Sequence, residues 1–275
     1  MNIYSAVKEL KNIDPNSMVA YEQALSIFFS IEVPIPVYTL QSNNILFRSR
    51  VNDCANMFES IDDIKNPDCK HVKSFARCNR SYQSVFYASE HRGASYCEFA
   101  ENWNQQYNIS NCFNITIGAW KLIKNMDVAI IVSPQCCDRE SNIERCAGKC
   151  FDNYINSVDK ETREQIIAFY NYVYLTFKAP VNANPLTYVI TSAFSNYIAL
   201  NKNIQGVCYP CVKSDEPSVN FAIFPEFVNN EWMMLYQVAV DEFTVAEIVD
   251  GKCNFVQTGS KKCECINIEQ NKLYW

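Results

Sequence analysis

Glycine is the residue that most narrows what this chain can become: only 6 of its 275 residues are glycine, and none lies in a Gly-x-Gly-x-x-Gly or Gly-x-x-x-x-Gly-Lys run. Such runs let main-chain N–H groups close around a pyrophosphate or triphosphate, so a Rossmann turn and a P-loop are both excluded. A nucleotide bound by this chain is therefore held by side chains. Hydrophobic residues make up 48% of the sequence, enough to bury an ample core, and one large elaborated domain is the simpler arrangement at this length. A net charge of −6 without a long Lys/Arg cluster argues against a nucleic-acid surface.

The N-terminal residues show no charged segment followed by an uninterrupted apolar one, and nowhere is there an uncharged apolar run long enough to span a bilayer. The expectation is a soluble, cytoplasmic protein without membrane contact. Fourteen cysteines would suggest disulfides in a small secreted chain, but this one is large enough to fold without them, so most read as reduced thiols. Short thiolate spacings that could serve a metal occur at Cys136 or Cys137 with Cys146 and Cys150, at Cys208 and Cys211, and at Cys263 and Cys265. The Cys208/Cys211 pair lies on a strand whose period of two puts the positions on opposite faces, the other spacings do not repeat a clean Cys-x-x-Cys pair, and the expectation is no metal.

Periodicity gives a mixed order of elements. Met18, Tyr21, Leu25 and Phe28 form one stripe of an N-terminal helix over residues 17–29, which Pro34 and Pro36 end. Residues 45–51 and 84–89 read as strands, joined by an irregular acidic connection with a short helix. A helix follows over residues 90–103, then strands over 112–118 and 127–133, the second rich in Val and Ile and so more buried. Residues 133–151 turn polar and cysteine-rich. A long helix opens at Asp159 and runs to Pro180, and another starts at Pro185. Strands are expected over 205–209, 219–224, 231–240 and 243–249, and the tail from Gly251 as an added hairpin or loop. The fold class is thus α+β, a mixed β-sheet core with flanking helices, divided as a helical extension (1–44), a main domain (45–249) and a packed tail (250–275).

Several residues suit chemistry on a phosphorylated, glycosidic ligand. Arg48 lies in the first strand and Arg77 just before the second, where guanidinium groups supply planar, multidentate donors to a pyrophosphate. Arg50 and Arg80 lie close by and remain alternatives. Tyr87 offers a π face. Glu98, on the following helix, is an anionic group able to face developing positive charge. His71 and His91, the two histidines, read as solvated loop residues.

The ordered set Arg48, Arg77-Cys78-Asn79, Tyr87, Glu98 and Gly206-Val207-Cys208-Tyr209-Pro210-Cys211 resembles the RES-domain family over residues 45–224. That resemblance implies a fold related to the ADP-ribosyltransferases and cleavage of NAD⁺ as substrate, releasing nicotinamide by hydrolysis or phosphorolysis, with no cofactor. Protein ADP-ribosylation and a non-catalytic nucleotide-binding module are the alternatives. It implies catalytic roles for Glu98, Tyr87 and Arg48, and substrate binding by Arg77, Arg48, Tyr87 and the residue at Cys211. Many relatives are toxins held by a protein antitoxin. Cys211 departs from the family's serine; a thiol donates weakly, and Ser214 or Ser218 is the alternative hydroxyl. A nucleophilic Cys211 has no evident local base.

Overall fold

The fully buried strands of this chain lie inside one large sheet. A computed structural model describes residues 1–52, 57–97, 112–180, 184–200, 203–212, 216–249 and 252–275. Its fold is α+β. The strands are β1 (Val37–Leu40), β2 (Ile45–Val51), β3 (Phe86–Ser89), β4 (Cys112–Leu122), β5 (Met126–Ile130), β6 (Gly206–Pro210), β7 (Val219–Ile223), β8 (Met233–Val249) and β9 (Lys252–Lys262). They form one nine-stranded sheet in the order β1-β5-β6-β7-β3-β2-β4-β8-β9. Among the described residues, only β5 and β6 run parallel. Every residue of β6 and β7 is buried, which is why these central strands lack the alternation of a half-exposed strand. Gly206 is required there: an added Cβ would lie 2.6 Å from the main-chain oxygen of Ala222 on β7.

Six labelled helices accompany the sheet: α1 (Ile3–Lys11), α2 (Ala20–Phe29), α3 (Ile61–Ile64), α4 (Asn142–Ser157), α5 (Lys160–Lys178) and α6 (Leu186–Ala199). Asp159 caps α5 by accepting from the Thr162 N–H at 3.0 Å, and Ser141 with Glu144 forms a reciprocal capping box on α4, each satisfying N–H groups that a first helical turn leaves without partners. Phe28 of α2 packs on Phe169 of α5 and Phe194 of α6, with ring centroids 6.3 and 5.1 Å apart. The segment before residue 45 thus buries Leu10, Ala24 and Phe28 in the main core and supplies β1, which pairs with β5. Met18, read as part of the α2 stripe, precedes the helix and is 99% exposed.

Two further differences from the sequence reading have physical causes. α4 occupies much of the stretch read only as polar and cysteine-rich, because its outward face is polar while Ala147, Phe151 and Ile155 face the core. The two strands expected over 231–249 are one, β8, whose pairing with β4 shifts at Ala119/Trp120, and the start of the tail is β9, paired along β8. Beyond it, β10 (Cys265–Asn267) and β11 (Lys272–Tyr274) form a small hairpin, tied to the body by Leu273 N–H to the Glu59 carbonyl at 2.8 Å. Among the described residues, no helix is long and apolar enough to cross a membrane.

Candidate functional site

Strands β2 and β3 are neighbours in the sheet yet share a single residue pair, Phe47 with Ser89. Where two strands part, their inner edges and both faces become available to a ligand. A cavity of about 450 Å³ opens there, lined by Arg48, Arg77, Tyr87, Ser89, Tyr188, Tyr209 and Asn220 among others. Three of the residues expected at the site, Arg48, Arg77 and Tyr87, therefore meet at one cavity. Cys211 is not among its lining residues, and Glu98 and Ser214 lie outside the described residues.

Arg48 bridges the gap between the strands. Its Nη1 donates to the Tyr87 carbonyl at 3.0 Å and its Nε to the Lys65 carbonyl at 3.1 Å, while the guanidinium carbon stands 5.4 Å from the centre of the Phe86 ring. Burial and the nearby charge of Arg50 push its pKa down to about 10. The group stays cationic at neutral pH, but no carboxylate among the described residues pairs with it, so an anion entering the cavity would relieve an uncompensated charge.

Arg77 is held more tightly. Its Nη2 donates to the Ala179 carbonyl at 3.2 Å and its Nη1 to that of Phe177, at the C-terminal end of α5, where carbonyls without helical partners favour a cation. The Tyr188 and Tyr209 rings flank the guanidinium at 5.6 and 6.0 Å. Arg77 thus ties the loop before β3 to α5 while contributing its charge to the cavity wall.

Tyr87 is fixed at its hydroxyl, which donates to Asn79 Oδ1 at 2.7 Å and accepts from the Cys78 N–H at 2.8 Å. Burial raises the pKa of this phenol well above its ordinary value, so it acts here as a neutral donor. The Arg77-Cys78-Asn79 element is thereby a clamp: its arginine grips α5 and its asparagine grips Tyr87. Deeper in the cavity, Ser89 Oγ donates to Asn220 Oδ1 at 2.6 Å, and Ser49 and Ser95 meet at 2.7 Å between their hydroxyl oxygens.

The cavity lining has one sign of charge. Arg48, Lys73 and Arg77 are its basic side chains, His71 stands with them, and no aspartate or glutamate is among the lining residues described. In a chain of net charge −6 this is a local inversion that draws anions into the cleft. Phe47, Tyr87, Tyr188 and Tyr209 supply aromatic surface. His71 is exposed, as expected of a loop residue, but lines the cavity as well. Ser89, Tyr188 and Asn220 are lining residues that the sequence reading does not single out. Tyr188 and Asn220 nevertheless fall within residues 45–224, which the family resemblance spans, and that is the signal that could have found them.

Next to the cavity, helical residues 92–97 are anchored to β8. Asp241, wholly buried, accepts from Arg92 and Tyr96 and, at 2.6 Å, from Ser260 Oγ. The thiols are less suited to chemistry: burial raises the Cys208 pKa well above its ordinary value and pushes that of Cys78 up to about 12, which disfavours nucleophilic thiolates. No group of three or more His, Cys, Asp or Glu side chains among the described residues is placed to hold a metal ion.

No protein-family model matches the chain, and no curated protein matches it. Among solved structures, it is similar to a chain of the M. tuberculosis MbcT–MbcA toxin–antitoxin complex, with 9% sequence identity and a TM-score of 0.38 over 73% of this chain and 85% of that one.

Proposed function

We propose that the cavity between β2 and β3 binds NAD⁺ and that the protein cleaves its bond between nicotinamide and ribose. The observation that carries this reading is the lining itself: three basic side chains with aromatic surface and no carboxylate among the lining residues described, in an acidic chain without a glycine-rich phosphate loop. That composition suits a ligand with both phosphate charge and flat heterocycles. Arg48 and Lys73 face the pyrophosphate, Tyr87 and Tyr188 border the nicotinamide half, and Ser89 with Asn220 offers hydrogen bonds to ribose hydroxyls.

In the reaction, the bond from ribose C1′ to the nicotinamide nitrogen breaks and nicotinamide leaves with the electron pair. Glu98 stabilises the positive charge at C1′, and a water oxygen, or a phosphate oxygen, forms the new bond; attack by water releases one proton. A chain that consumes NAD⁺ in this way is a toxin to its own cell unless restrained, and a protein antitoxin is the partner that fits.

The test is to incubate the protein with NAD⁺, with and without phosphate, beside Glu98→Gln. Nicotinamide released by wild type and reduced by about 100-fold or more in the variant supports the reading, and the ribose product separates hydrolysis from phosphorolysis. ADP-ribose attached to protein, with little free product, would replace it with ADP-ribosyl transfer. NAD⁺ bound without release would leave a nucleotide-binding module.

A further inference from the structure

A second cavity, of about 520 Å³, lies beside the first and shares Gln83 with it. The amides of Gln83 and Asn196 pair reciprocally at 2.6 and 3.0 Å, which holds the shared Gln83 side chain in place. Elsewhere the wall is the loop over residues 72–83, closed by the Tyr82 N–H on the Val72 carbonyl at 2.7 Å. Ser74 and Ala76 line the first cavity, and Phe75 between them lines the second.

The second cavity is aromatic and cationic. Phe75 meets Tyr21 of α2 at 5.8 Å between ring centres, and the Arg80 guanidinium stands 5.5 Å from the centre of the Tyr21 ring. Arg80 forms no ion pair among the described residues. Tyr82 also lines the cavity, 64% exposed, with its backbone at φ 60°. A bulky residue in that left-handed region costs on the order of 1 kcal/mol, and such strain collects where a side chain is displayed for use. Lys73 links the two spaces: it lines the first cavity, and its ammonium lies 4.9 Å from the centre of the Tyr82 ring.

We propose that this second cavity is a binding subsite for an adenine nucleotide, with the exposed Tyr82 ring as the stacking surface for the base and Arg80 and Lys73 set toward its phosphate. Resting on the reading of the first cavity, the natural occupant is the adenosine half of the same NAD⁺, with its pyrophosphate passing Lys73 at the shared wall. The subsite would make the protein selective for the dinucleotide over nicotinamide mononucleotide.

Saturation-transfer NMR with AMP and, separately, nicotinamide mononucleotide tests the two cavities independently. Wild type and Tyr82→Phe are expected to show transfer to AMP, and Tyr82→Gly to lose it while keeping transfer to nicotinamide mononucleotide; glycine relieves the positive φ, so the loss is not one of folding. The Kd for NAD⁺ should rise about 10-fold in Tyr82→Gly, the scale of one lost stacking contact. Absence of AMP transfer in wild type, or AMP transfer unchanged in Tyr82→Gly, overturns the subsite. Failure of nicotinamide mononucleotide to bind counts instead against the reading of the first cavity, and leaves the AMP result to decide the second.

Discussion

The hydroxyl of Tyr87 is engaged on both sides, as donor to Asn79 and acceptor from the Cys78 N–H. Tyr87→Phe keeps the ring but leaves a main-chain N–H and an asparagine oxygen without that partner, an expected loss of about 1–3 kcal/mol. Chemical denaturation should show it as a lower midpoint with unchanged slope. Because the hydroxyl also holds the loop that carries Arg77, binding of NAD⁺ should weaken in the same variant. A variant as stable as wild type would show that the clamp contributes little. The placement of Arg48 and Tyr87 near one another is legible from residue type and order, whereas the engagement of Arg77 is not: its carbonyl partners Phe177 and Ala179 lie about a hundred positions away, and no local pattern announces them.

At the scale of the element, α4 shows why a helix can escape a sequence reading and how its start is sensitive to pH. Glu144 closes the capping box, accepting from the Ser141 N–H at 3.0 Å through one carboxylate oxygen, while the other is buried without a partner among the described residues. Burial raises its pKa above the ordinary value of 4.5. The folded state therefore holds this proton more tightly than the unfolded chain, so the ionised carboxylate costs stability as pH rises past that value, and the cost is relieved on acidification. Glu144→Gln, neutral throughout, should gain stability relative to wild type at about pH 7 and lose that advantage near pH 4. Urea titrations at the two values measure it, and an equal difference at both would contradict the assignment. The capping box is present in the sequence as Ser141-x-x-Glu144, but the cysteines and charges around it obscure the three apolar positions that face the core. β9 is hidden differently: edge strands bury one face or less, and its exposed polar residues resemble those of a loop.

For the whole molecule, the central property is the placement of a cationic, aromatic cleft at a split in an otherwise continuous sheet. The α+β class, β2, the centre of the sheet and the long helix α5 are legible because their periodicities are strong and their boundaries carry proline or capping residues. The cleft is only partly legible. Its residues come from β2, the loop before β3, β3 itself, α6, β6 and β7, and the parting of β2 from β3 is a property of pairing that neither strand records alone. The N-terminal helices, set apart in the sequence as an extension, meet the rest of the chain through the aromatic packing of Phe28 and Tyr21, contacts that also back the loop between the two cavities.

A crystal structure of the protein soaked with ADP-ribose tests the central claim most directly. Expected is ligand density in the cleft where β2 and β3 part, with phosphate oxygens within hydrogen-bond distance of Arg48 or Lys73 and a ribose against Ser89 and Asn220. A full-occupancy ligand bound elsewhere, with that cleft empty, would contradict it.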